Sequence, residues 1–458
     1  MIQIPSWELI KKYDRPGPRY TSYPTAPEWT EAFQAPQYVE HLARAEKAGG
    51  PLSIYVHLPF CREMCRFCGC NVIATHDTSR ADAYLDVLEK EVAMVAAHLP
   101  TRRGVSQLHW GGGTPTFLDE KQLARCHAIL ARHFHFLPDA ELAVEIDPAI
   151  TTRRQVDLLA SLGFNRISMG VQDFDPKVQE TVARIQGEKE TVDLVEEARR
   201  MGFKGVNLDL IYGLPYQTPD TWADTLRRIV AMRPDRMAVF GFAYTPWFKP
   251  HQKLLPQEAL PKTEERVKLF LQTVEAFTGS GYRLIGLDHF ALETDELARA
   301  QTAGTMLRTF QGYTVRPADD TVSFGMTSIS DIGGAYAQNS HKLKDWVDAV
   351  EAGRLPVDRG AAMSGDDVMR RFVINRVMCL LRLDLSEVEA RFGAQARADI
   401  AAALQGGLDE LVADGLVTFD GNLLQVQPLG QLLVRNVAML FDAYLKPGTE
   451  AKRFSRTV

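Results

Sequence analysis

The stretch SIYVHLPFCREMCRFCGCNV, residues 53–72, contains four of the six cysteines of the chain, at Cys61, Cys65, Cys68 and Cys70. It overlaps an apolar run, 52–59, which predicts a buried β-strand. Thiols gathered in one short loop after a strand indicate metal binding or redox chemistry. The stretch therefore predicts a sheet protein whose chemistry is carried by the loop at the end of one strand.

The spacing of these cysteines distinguishes between kinds of metal site. A structural zinc site usually takes two pairs of ligands from separate loops, but no second pair follows C-x3-C-x2-C here. An ordinary ferredoxin cluster needs four thiolates, and Cys70 follows Cys68 too closely to be an easy fourth ligand. Three thiolates leave one iron open to a substrate or cofactor. A disulfide or zinc site remains the alternative.

C-x3-C-x2-C after an aromatic-rich strand, with Phe67 before Cys68, resembles the signature of the radical S-adenosylmethionine (SAM) enzymes. The resemblance implies a 4Fe-4S cluster on the loop.

Composition limits the other classes. A length of 458 residues predicts two or three domains. The hydrophobic share of 45% is typical of a globular protein, and no run approaches the ~18 apolar residues of a membrane helix. The net charge of -6 does not favour nucleic acid as the main partner. The first residues lack a signal-peptide pattern, so we expect a soluble protein in the reducing cytoplasm.

The first 50 residues predict an arm with two short helices, 6–13 and 37–48. The intervening DRPGPRYTSYPTAPEWTEAF is rich in proline and aromatics and predicts an extended segment. Such a segment is either a packing strap or a lid near the active site that carries Arg19 and Tyr20.

From residue 51, short apolar runs alternate with amphipathic helices, such as 81–98, 152–162 and 191–201. The predicted strands are 52–58, 106–110, 142–146, 166–171, 206–211 and 237–242. Six such βα units predict an α/β fold with a parallel sheet, open or curled into a partial (β/α)6 barrel. Chemistry is expected at the carboxyl ends of the strands, which carry His57, Gly111 to Thr114, Glu145, Asp147, Gln172, Asp173, Asp209, Tyr212, Gly213 and Tyr244.

The remaining chain is less regular at first and then helical. We expect 282–330 to complete the cavity wall. Helices are predicted at 366–380, 385–392 and 396–414, followed by a hairpin of 417–419 with 423–426 around Asp420-Gly421. This order resembles a winged helix, and the absence of a basic surface favours a structural cap over a DNA reader. The predicted domains are 1–50, 51–350 and 351–458.

Individual polar residues have competing interpretations. The glycines of HWGGGTPT, 109–116, let backbone approach a ligand, or simply form a tight turn. Asp209 lies in an apolar strand, where a carboxylate needs a partner, and Arg184 is a candidate. Glu145 is either a ligand contact or an exposed strand-terminal acid. His57 either contacts substrate or cluster, or is a satisfied core histidine.

Long motifs across the whole chain resemble the oxygen-independent coproporphyrinogen III oxidase family. They are GPRYTSYPTA (17–26), YVHLPFC (55–61), CRFCGCN (65–71), QLHWGGGTPT (107–116), GFNRISMGVQDF (163–174), NLDLIYGLPYQT (207–218), IGLDHFA (285–291), FQGYT (310–314), YAQN (336–339) and FSRTV (454–458).

This resemblance implies oxidative decarboxylation of two propionates of coproporphyrinogen III to vinyl groups, giving protoporphyrinogen IX in anaerobic haem biosynthesis. A 5'-deoxyadenosyl radical would abstract hydrogen from the β-carbon of each propionate. The substrate carries four carboxylates, for which Arg19 is a candidate ligand. The resemblance also implies a reduced flavodoxin- or ferredoxin-type donor and a monomer. Rival functions are another radical enzyme acting on haem or a tetrapyrrole, and a haem chaperone, although the chaperones lack a cysteine at the position of Cys70.

The resemblance assigns roles residue by residue. The cluster ligands would be Cys61, Cys65 and Cys68, and Cys70, His57 and Gln311 are catalytic candidates. Two SAM molecules are implied. The first would contact Tyr55, Gly112, Glu145 and Ile329, and the second Phe67, Gly113, Thr114, Gln172, Arg184, Asp209 and Ala243.

Four positions depart from the family pattern. Ala183 and Thr309 stand where asparagine is expected, Tyr244 where histidine is expected and Arg66 where an aromatic is usual. Ala183 and Tyr244 adjoin the second SAM site, so they bear on its occupancy.

Overall fold

The computed structural model describes residues 3–102, 104–315, 318–445, 454, 456 and 457. These residues form two compact units, each assembled from separate stretches of chain. The first comprises 1–29, 281–315 and 363–458, and the second comprises 30–280 and 316–362. The predicted boundaries at residues 50 and 350 stay a prediction, and the compact units divide the chain at other places.

The second unit contains seven parallel strands. They are β1 (Leu52–Leu58), β2 (Gly104–Gly112), β3 (His135–Ile146), β4 (Arg166–Gln172), β5 (Gly205–Tyr212), β6 (Arg236–Gly241) and β7 (Asp320–Phe324). Their order is β7-β1-β2-β3-β4-β5-β6, and all neighbours are parallel. The predicted α/β fold with six βα units is confirmed. The seventh strand was not predicted, because the pattern around it is irregular.

Helices connect these strands. They are Ser79–Ala97, Glu120–Ala131, Arg153–Ser161, Pro176–Val182, Glu188–Arg200, Pro219–Met232 and Thr263–Gly279. Short polar residues begin several of them: the side chains of Asp119 and Thr152 each accept a hydrogen bond from a backbone N–H of the first turn, which supplies an acceptor for a donor that the helix leaves free. The unit also contains helices Ala35–Ala48 and Leu343–Glu351 and short 3-10 turns at Pro115–Phe117, Pro250–Leu254 and Gln257–Ala259.

Burial explains why β1 lies inside the sheet. Leu52, Ile54, Val56 and Leu58 are at most 1% exposed, and as alternate residues of a strand they share one face, which is therefore fully covered. Beyond β7 the sheet continues with antiparallel strands Ile329–Ile332, Ala335–Asn339 and Val357–Ala362. Phe60–Cys61 and Ile73–Ala74 form a separate two-stranded parallel pair.

The first unit packs helices around an apolar core. Its elements are helices Trp7–Tyr13, Glu296–Ala303, Gly365–Leu380, Leu385–Phe392, Ala394–Gln405, Leu408–Ala413 and Val434–Ala438, 3-10 turns Ala26–Glu28, Gln431–Leu433 and Met439–Phe441, and strands Tyr282–Ile285, His289–Leu292, Leu307–Thr309, Gly312–Thr314, Arg382–Asp384, Val417–Phe419 and Leu423–Val426. The predicted hairpin of 417–419 with 423–426 is confirmed, and Arg382–Asp384 adds a third strand to it.

Two predictions for this unit need correction or refinement. The helix predicted at 396–414 is two helices, because Gly406 and Gly407 interrupt it and glycine is a poor helix former. The proline-rich segment has no α-helix, as predicted, but it is not extended throughout, because it contains the 3-10 turn Ala26–Glu28 and Tyr20 has φ +49°. The buried Tyr20 and Tyr23 belong to the apolar core of the unit. This packing supports the strap alternative for the segment. Of the FSRTV motif, Ser455 and Val458 lie outside the described residues.

Candidate active site

Residues 61–73, called here the cysteine loop, follow β1 at the carboxyl edge of the parallel sheet. Backbone hydrogen bonds close the loop at its base: Ile73 N donates to Pro59 O at 2.7 Å, and Thr75 N donates to Cys61 O at 2.9 Å. The loop is thereby fixed at the edge where parallel sheets place their ligand sites.

The three thiols assigned to iron lie in this loop and are partly buried. Burial raises the pKa of Cys61 to about 11, and thiolate charge on Cys68 and Cys65 raises it further. Burial is also the largest effect on Cys65, whose pKa is raised. Grouping partly buried thiolates is therefore unfavourable without a compensating cation, which iron supplies on binding.

Hydrogen-bond donors lie beside two of the sulfurs. Thr114 Oγ1 is 3.6 Å from Cys61 Sγ, and Arg184 Nη1 is 3.8 Å from Cys65 Sγ. Hydrogen bonds to the sulfurs are one of the means by which proteins tune an iron–sulfur cluster, so these residues fit a cluster. No group of three or more His, Cys, Asp or Glu side chains in the described ranges is arranged to hold a single metal ion, whereas a 4Fe-4S cluster spreads its thiolate ligands over separate irons.

The Cys70 thiol contacts Cys68 in this structure. The hydrogen bond from the Cys70 thiol is the largest effect on Cys68 and lowers the pKa of Cys68 to about 6, against an opposing effect of burial. Cys70 N also donates to Cys68 Sγ at 3.4 Å. Cys70 is thus a neighbour of an assigned ligand, and its catalytic role stays a prediction.

Side chains from residues 249–252, called here the support segment, hold the outer part of the cysteine loop. Lys249 Nζ donates to Cys70 O at 2.9 Å, and Gln252 Nε2 donates to Phe67 O at 3.1 Å and to Ala243 O at 3.2 Å. His251 Nε2 lies 2.8 Å from Cys68 O. The segment therefore ties three loop carbonyls in place, and Gln252 links two residues assigned to the second SAM site.

No sequence signal identified these supports. Lys249, His251 and Gln252 lie in an irregular stretch after β6, without periodicity or a recognised motif. Gln252 is only 1% exposed, and such burial of an amide is not visible in the sequence.

His57 joins β1 to the far end of the cysteine loop. His57 Nε2 is 3.0 Å from Asn71 O, so it donates to that carbonyl, and His57 Nδ1 accepts from Tyr55 Oη at 3.2 Å. Burial lowers the pKa of His57, which opposes a second proton. Both ring nitrogens are occupied, which favours a role in positioning the loop. A catalytic role for His57 stays a prediction.

A buried polar network around Glu91 fixes the chain at Gly325, two residues before a residue that contacts the same end of the loop. Glu91, 1% exposed, accepts hydrogen bonds from Gly325 N at 2.8 Å, Trp346 Nε1 at 3.1 Å and the Asn339 amide. Burial raises the pKa of Glu91 to about 7, although these donors oppose the shift. Two residues further along, Thr327 Oγ1 accepts from Asn71 Nδ2 at 2.7 Å.

Three of the four residues assigned to the first SAM molecule meet at the ends of β1, β2 and β3. Glu145 Oε1 lies 2.9 Å from His109 Nε2, and Glu145 Oε2 accepts from Gly112 N at 3.2 Å. The Tyr55 ring stacks on the His109 ring with centroids 5.8 Å apart. His109 therefore orients both Tyr55 and Glu145. Its sequence position, at the start of HWGGGTPT, did not indicate this role.

The fourth residue assigned to the first SAM molecule, Ile329, is linked to Tyr55 through Ser323. Ser323 Oγ donates to Ile329 O, and Ser323 is the partner of Tyr55 across β7 and β1.

Burial acts to raise the pKa of Glu145, but the hydrogen bond and charge of His109 and the Gly112 N–H outweigh it, and the pKa is lowered. Glu145 therefore carries the negative charge that a ligand amine requires.

The glycines of β2 are needed by the protein itself. A Cβ at Gly111 would lie 2.7 Å from Glu145 Cδ, one at Gly112 would lie 2.4 Å from His57 Nδ1, and one at Gly113 would lie 2.6 Å from the backbone of Pro59. Gly112 also has φ +110°, which side-chain-bearing residues rarely adopt. The run lets three neighbouring elements pack onto one strand end.

Most residues assigned to the second SAM molecule lie in or just after β2 and β4 to β6, whereas Phe67 lies in the cysteine loop and Arg184 follows the helix Pro176–Val182. Arg184 Nη1 pairs with Asp147 Oδ2 at 2.7 Å, and Arg184 Nη2 donates to Gly170 O at 2.8 Å. The predicted pair of Arg184 with Asp209 is therefore wrong: Asp209 accepts from Ser168 Oγ at 2.9 Å and Asn207 Nδ2 at 2.6 Å. Asp147, just after β3, supplies the carboxylate partner of the guanidinium instead.

Gln172 has a left-handed backbone, φ +67°, directly at the end of β4. Non-glycine residues in this region are uncommon and concentrate at functional sites.

Gly113 and Thr114 follow β2 beside the cysteine loop, where their N–H groups donate to Leu58 O and Phe60 O. Gln311, the last assigned residue, belongs to the first unit, in the turn between Leu307–Thr309 and Gly312–Thr314.

Family models match two parts of the chain. The radical SAM superfamily model matches residues 55–229, which contain the cysteine loop and the strand ends described above. A HemN C-terminal domain model matches residues 363–433. No helix in the described ranges is long and apolar enough to cross a membrane.

Full-length relatives have the same name. Oxygen-independent coproporphyrinogen III oxidase from Pseudomonas aeruginosa is 42% identical over 100% of both chains, and that from Escherichia coli is 43% identical over 100% of both. The solved structure of coproporphyrinogen III oxidase (HemN) from Escherichia coli, described as a radical SAM enzyme, superposes with a TM-score of 0.92, covering 97% of this chain and 100% of that one. The chain therefore belongs to the family of oxygen-independent coproporphyrinogen III oxidases, within the radical SAM superfamily.

Proposed function

We propose that this chain decarboxylates two propionate side chains of coproporphyrinogen III to vinyl groups, with a 4Fe-4S cluster on Cys61, Cys65 and Cys68 and two molecules of SAM. As a family member the chain is an oxidoreductase of anaerobic haem biosynthesis. One observation carries the residue assignment: the cysteine loop is fixed at the same sheet edge as the Glu145–His109–Gly112 group, by the contacts of His57 and of the support segment.

When bound, the cluster and SAM supply the electron and the radical that removes hydrogen from the β-carbon of a propionate. Glu145 holds a negative charge for the SAM amine, and His109 fixes that carboxylate and the Tyr55 ring. His57 holds Asn71 at the end of the loop. These residues preorganise the site, and rigid positioning is a large part of what a radical reaction requires of the protein.

A second SAM molecule is proposed at Phe67, Gly113, Thr114, Gln172, Arg184, Asp209 and Ala243. Alanine in place of asparagine at position 183 affects the backbone at the end of a helix and does not argue against this site. Ala183 ends helix Pro176–Val182 with φ +54° and ψ +47°, a left-handed conformation that asparagine tolerates better than alanine. The family preference for asparagine there is accounted for without a ligand contact. Tyr244 packs with Phe67 on the apolar cluster around Phe242.

Partners, location and domains complete the proposal. A reduced flavodoxin- or ferredoxin-type protein is the donor that the family resemblance implies, and the chain is proposed to act as a cytoplasmic monomer. We retain the division into an arm, a radical SAM region and a C-terminal domain, with the C-terminal family match at 363–433 supporting the last boundary.

The test is anaerobic. The reconstituted protein is given dithionite, SAM, coproporphyrinogen III and cell extract as electron acceptor, and 5'-deoxyadenosine and tetrapyrroles are quantified by mass spectrometry. Protoporphyrinogen IX, detected as its oxidised porphyrin with loss of two carbon dioxides, supports the proposal. Equilibrium binding of SAM to the reconstituted protein then gives the number of molecules bound.

Other outcomes separate the rival functions. Deoxyadenosine without a decarboxylated product would retain the radical chemistry and reject the substrate. Tight haem binding without SAM turnover would indicate a chaperone, against which Cys70 argues. A stoichiometry of one SAM would reject the second site alone.

A further inference from the structure

The first unit contains a group of titratable side chains, Arg19, Asp288, His289 and Arg308, called here the charge cluster, in which Asp288 and Arg308 are buried and Arg19 is partly exposed. Asp288 lies at its centre and accepts hydrogen bonds from Arg19 Nη1 at 3.2 Å and from His289 Nδ1 at 2.7 Å. Arg308 Nη1 is 4.0 Å from Asp288 Oδ1, which is too far for a hydrogen bond. One carboxylate therefore faces two guanidinium groups.

Arg308 is the incompletely paired member. Its side chain is 5% exposed, and its Nε and Nη1 have no hydrogen-bond partner among the described residues. Burying a cation with unused N–H donors is costly. An incoming anion would supply the missing acceptor and balance the charge.

The surroundings hold the Arg308 guanidinium in place. It stacks on the Tyr313 ring at 4.5 Å from the ring centroid, and the His289 ring meets the same ring edge-on at 5.1 Å. Leu287 N donates to Tyr313 Oη at 3.0 Å. A fixed, desolvated guanidinium is a selective carboxylate ligand, because its planar donors match the two carboxylate oxygens.

Exposure rises from the inside of the charge cluster outwards. The side chains of Arg308, Asp288 and Arg19 are 5%, 9% and 36% exposed. Arg19 is therefore the member of the charge cluster that solvent reaches most.

We propose that Arg19 and Arg308 bind one propionate carboxylate of the tetrapyrrole substrate, and that Asp288 and His289 position the two arginines. This inference rests on the proposed function, which supplies a substrate with four carboxylates. Arg308 is two residues before Phe310 and three before Gln311, so a carboxylate held here would place the substrate beside the turn that carries the Gln311 candidate.

The experiment uses the full-length reconstituted enzyme and the variants Arg19→Gln, Arg308→Gln and Arg308→Lys. Arg382→Gln is the matched control, since Arg382 is exposed and lies outside the charge cluster. Anaerobic fluorescence titration measures binding of coproporphyrin III and of its tetramethyl ester, which lacks free carboxylates. Steady-state assays give KM and kcat for coproporphyrinogen III, and iron content and thermal midpoint report folding.

We expect Arg19→Gln and Arg308→Gln to weaken coproporphyrin III binding by about 10-fold or more, as for loss of a hydrogen bond to a charged group. KM should rise by a similar factor. Ester binding, substrate-independent SAM cleavage and the Arg382→Gln control should match the wild type. Arg308→Lys should fall between, because it retains charge without the planar donors.

Unchanged coproporphyrin III binding in Arg19→Gln and Arg308→Gln, or equal losses for acid and ester, would overturn the inference and leave the charge cluster a structural ion network. If Arg308→Gln does not fold, Arg19→Gln decides the outcome, because its side chain is partly exposed. Failure of the wild type to decarboxylate coproporphyrinogen III would reject the proposed function, and the carboxylate dependence of binding is read separately from that assay.

Discussion

The cysteine loop and the Gln311 turn carry residues that we propose act in the reaction, and they are held in different ways. Residues 249–252 and Thr327 hold the cysteine loop from other parts of the chain, and Arg66 of the loop donates to Thr181 O at 3.0 Å and to Val182 O at 2.9 Å. The turn at 309–312 has a local hydrogen bond, from Gln311 N to Thr309 Oγ1 at 3.2 Å within a short hairpin, and the Phe310 ring meets the Trp29 ring edge-on with centroids 5.6 Å apart. The cysteine loop is thus held mainly by polar contacts with distant residues, whereas the turn combines a local hydrogen bond with one aromatic contact.

The largest effect should come from removing a cluster ligand. Cys65→Ala should abolish cluster binding and activity, because an incomplete thiolate set does not hold the cluster. Iron analysis and 5'-deoxyadenosine formation measure this. Cys126→Ala is the control, since Cys126 is buried in helix Glu120–Ala131; it should retain iron. Full iron content in Cys65→Ala would contradict the assignment.

A pH-dependent loss of stability should come from Glu91, which is buried against Gly325, Asn339 and Trp346. Its folded pKa of about 7 exceeds the ordinary 4.5, so the folded protein binds more protons than the unfolded chain between these values. Stability should therefore fall as pH rises from about 5 to 8, by about 3 kcal/mol.

Thermal unfolding of the wild type and Glu91→Gln across this pH range tests the effect. The wild type should lose stability relative to the variant as pH rises. A difference between the two proteins that does not change with pH would show that Glu91 does not titrate there.

Removing the charge on Glu145 should weaken SAM binding. Glu145→Gln should lower affinity about 10- to 100-fold, the cost of losing a charged hydrogen bond. Equilibrium binding of SAM to the reconstituted enzyme is the measurement. Glu141→Gln, on the same strand and paired with Arg166, is the control. Equal affinities in the Glu145 and Glu141 variants would reject the first-site assignment.

Loosening one support should have a smaller effect on the cluster. Gln252→Ala leaves Phe67 O and Ala243 O without their shared donor, and groups that orient metal ligands contribute about 10-fold or more to affinity. The rate of iron release to a chelator should rise about 10-fold. The exposed neighbour Lys253→Ala should release iron at the wild-type rate. Identical rates in both variants would show that the loop does not depend on this support.

The smallest effect should come from the turn at 309–312. Thr309→Val loses the side-chain acceptor for Gln311 N and should destabilise the first unit by about 1 kcal/mol. Thr309→Asn keeps an acceptor, as the family pattern does at this position, and should match the wild type in thermal unfolding. An equal loss in both variants would place the effect in side-chain packing.

The sequence predicted what is local and periodic. The ends of β1 and β4 were predicted to within one residue, because alternating apolar residues and turn signals lie next to each other in the chain. The cysteine loop and the glycine run were predicted by their spacing. The Gly406–Gly407 break was missed because apolar spacing continues across it.

The contacts between distant residues could not be predicted in this way. Nothing in the sequence around 249–252 indicates that Gln252 is buried against Phe67 O, and nothing around Asp147 indicates that it reaches Arg184 in place of Asp209. Such pairs depend on which strand ends become neighbours, and that is fixed only by the folded sheet. The role of a side chain such as His109 could not be predicted either, because it consists of orienting other residues that become its neighbours only in the folded sheet.

The glycine run at the end of β2 restricts which substitutions this chain can accept. The Cβ positions of Gly111, Gly112 and Gly113 are taken by Glu145, by His57 and by the backbone after β1, respectively. An alanine would therefore meet a side chain of β3 at Gly111, a side chain of β1 at Gly112 and main chain at Gly113. A change at Glu145 that made room for an alanine at Gly111 would make none for an alanine at Gly112 or Gly113, so each position is constrained separately.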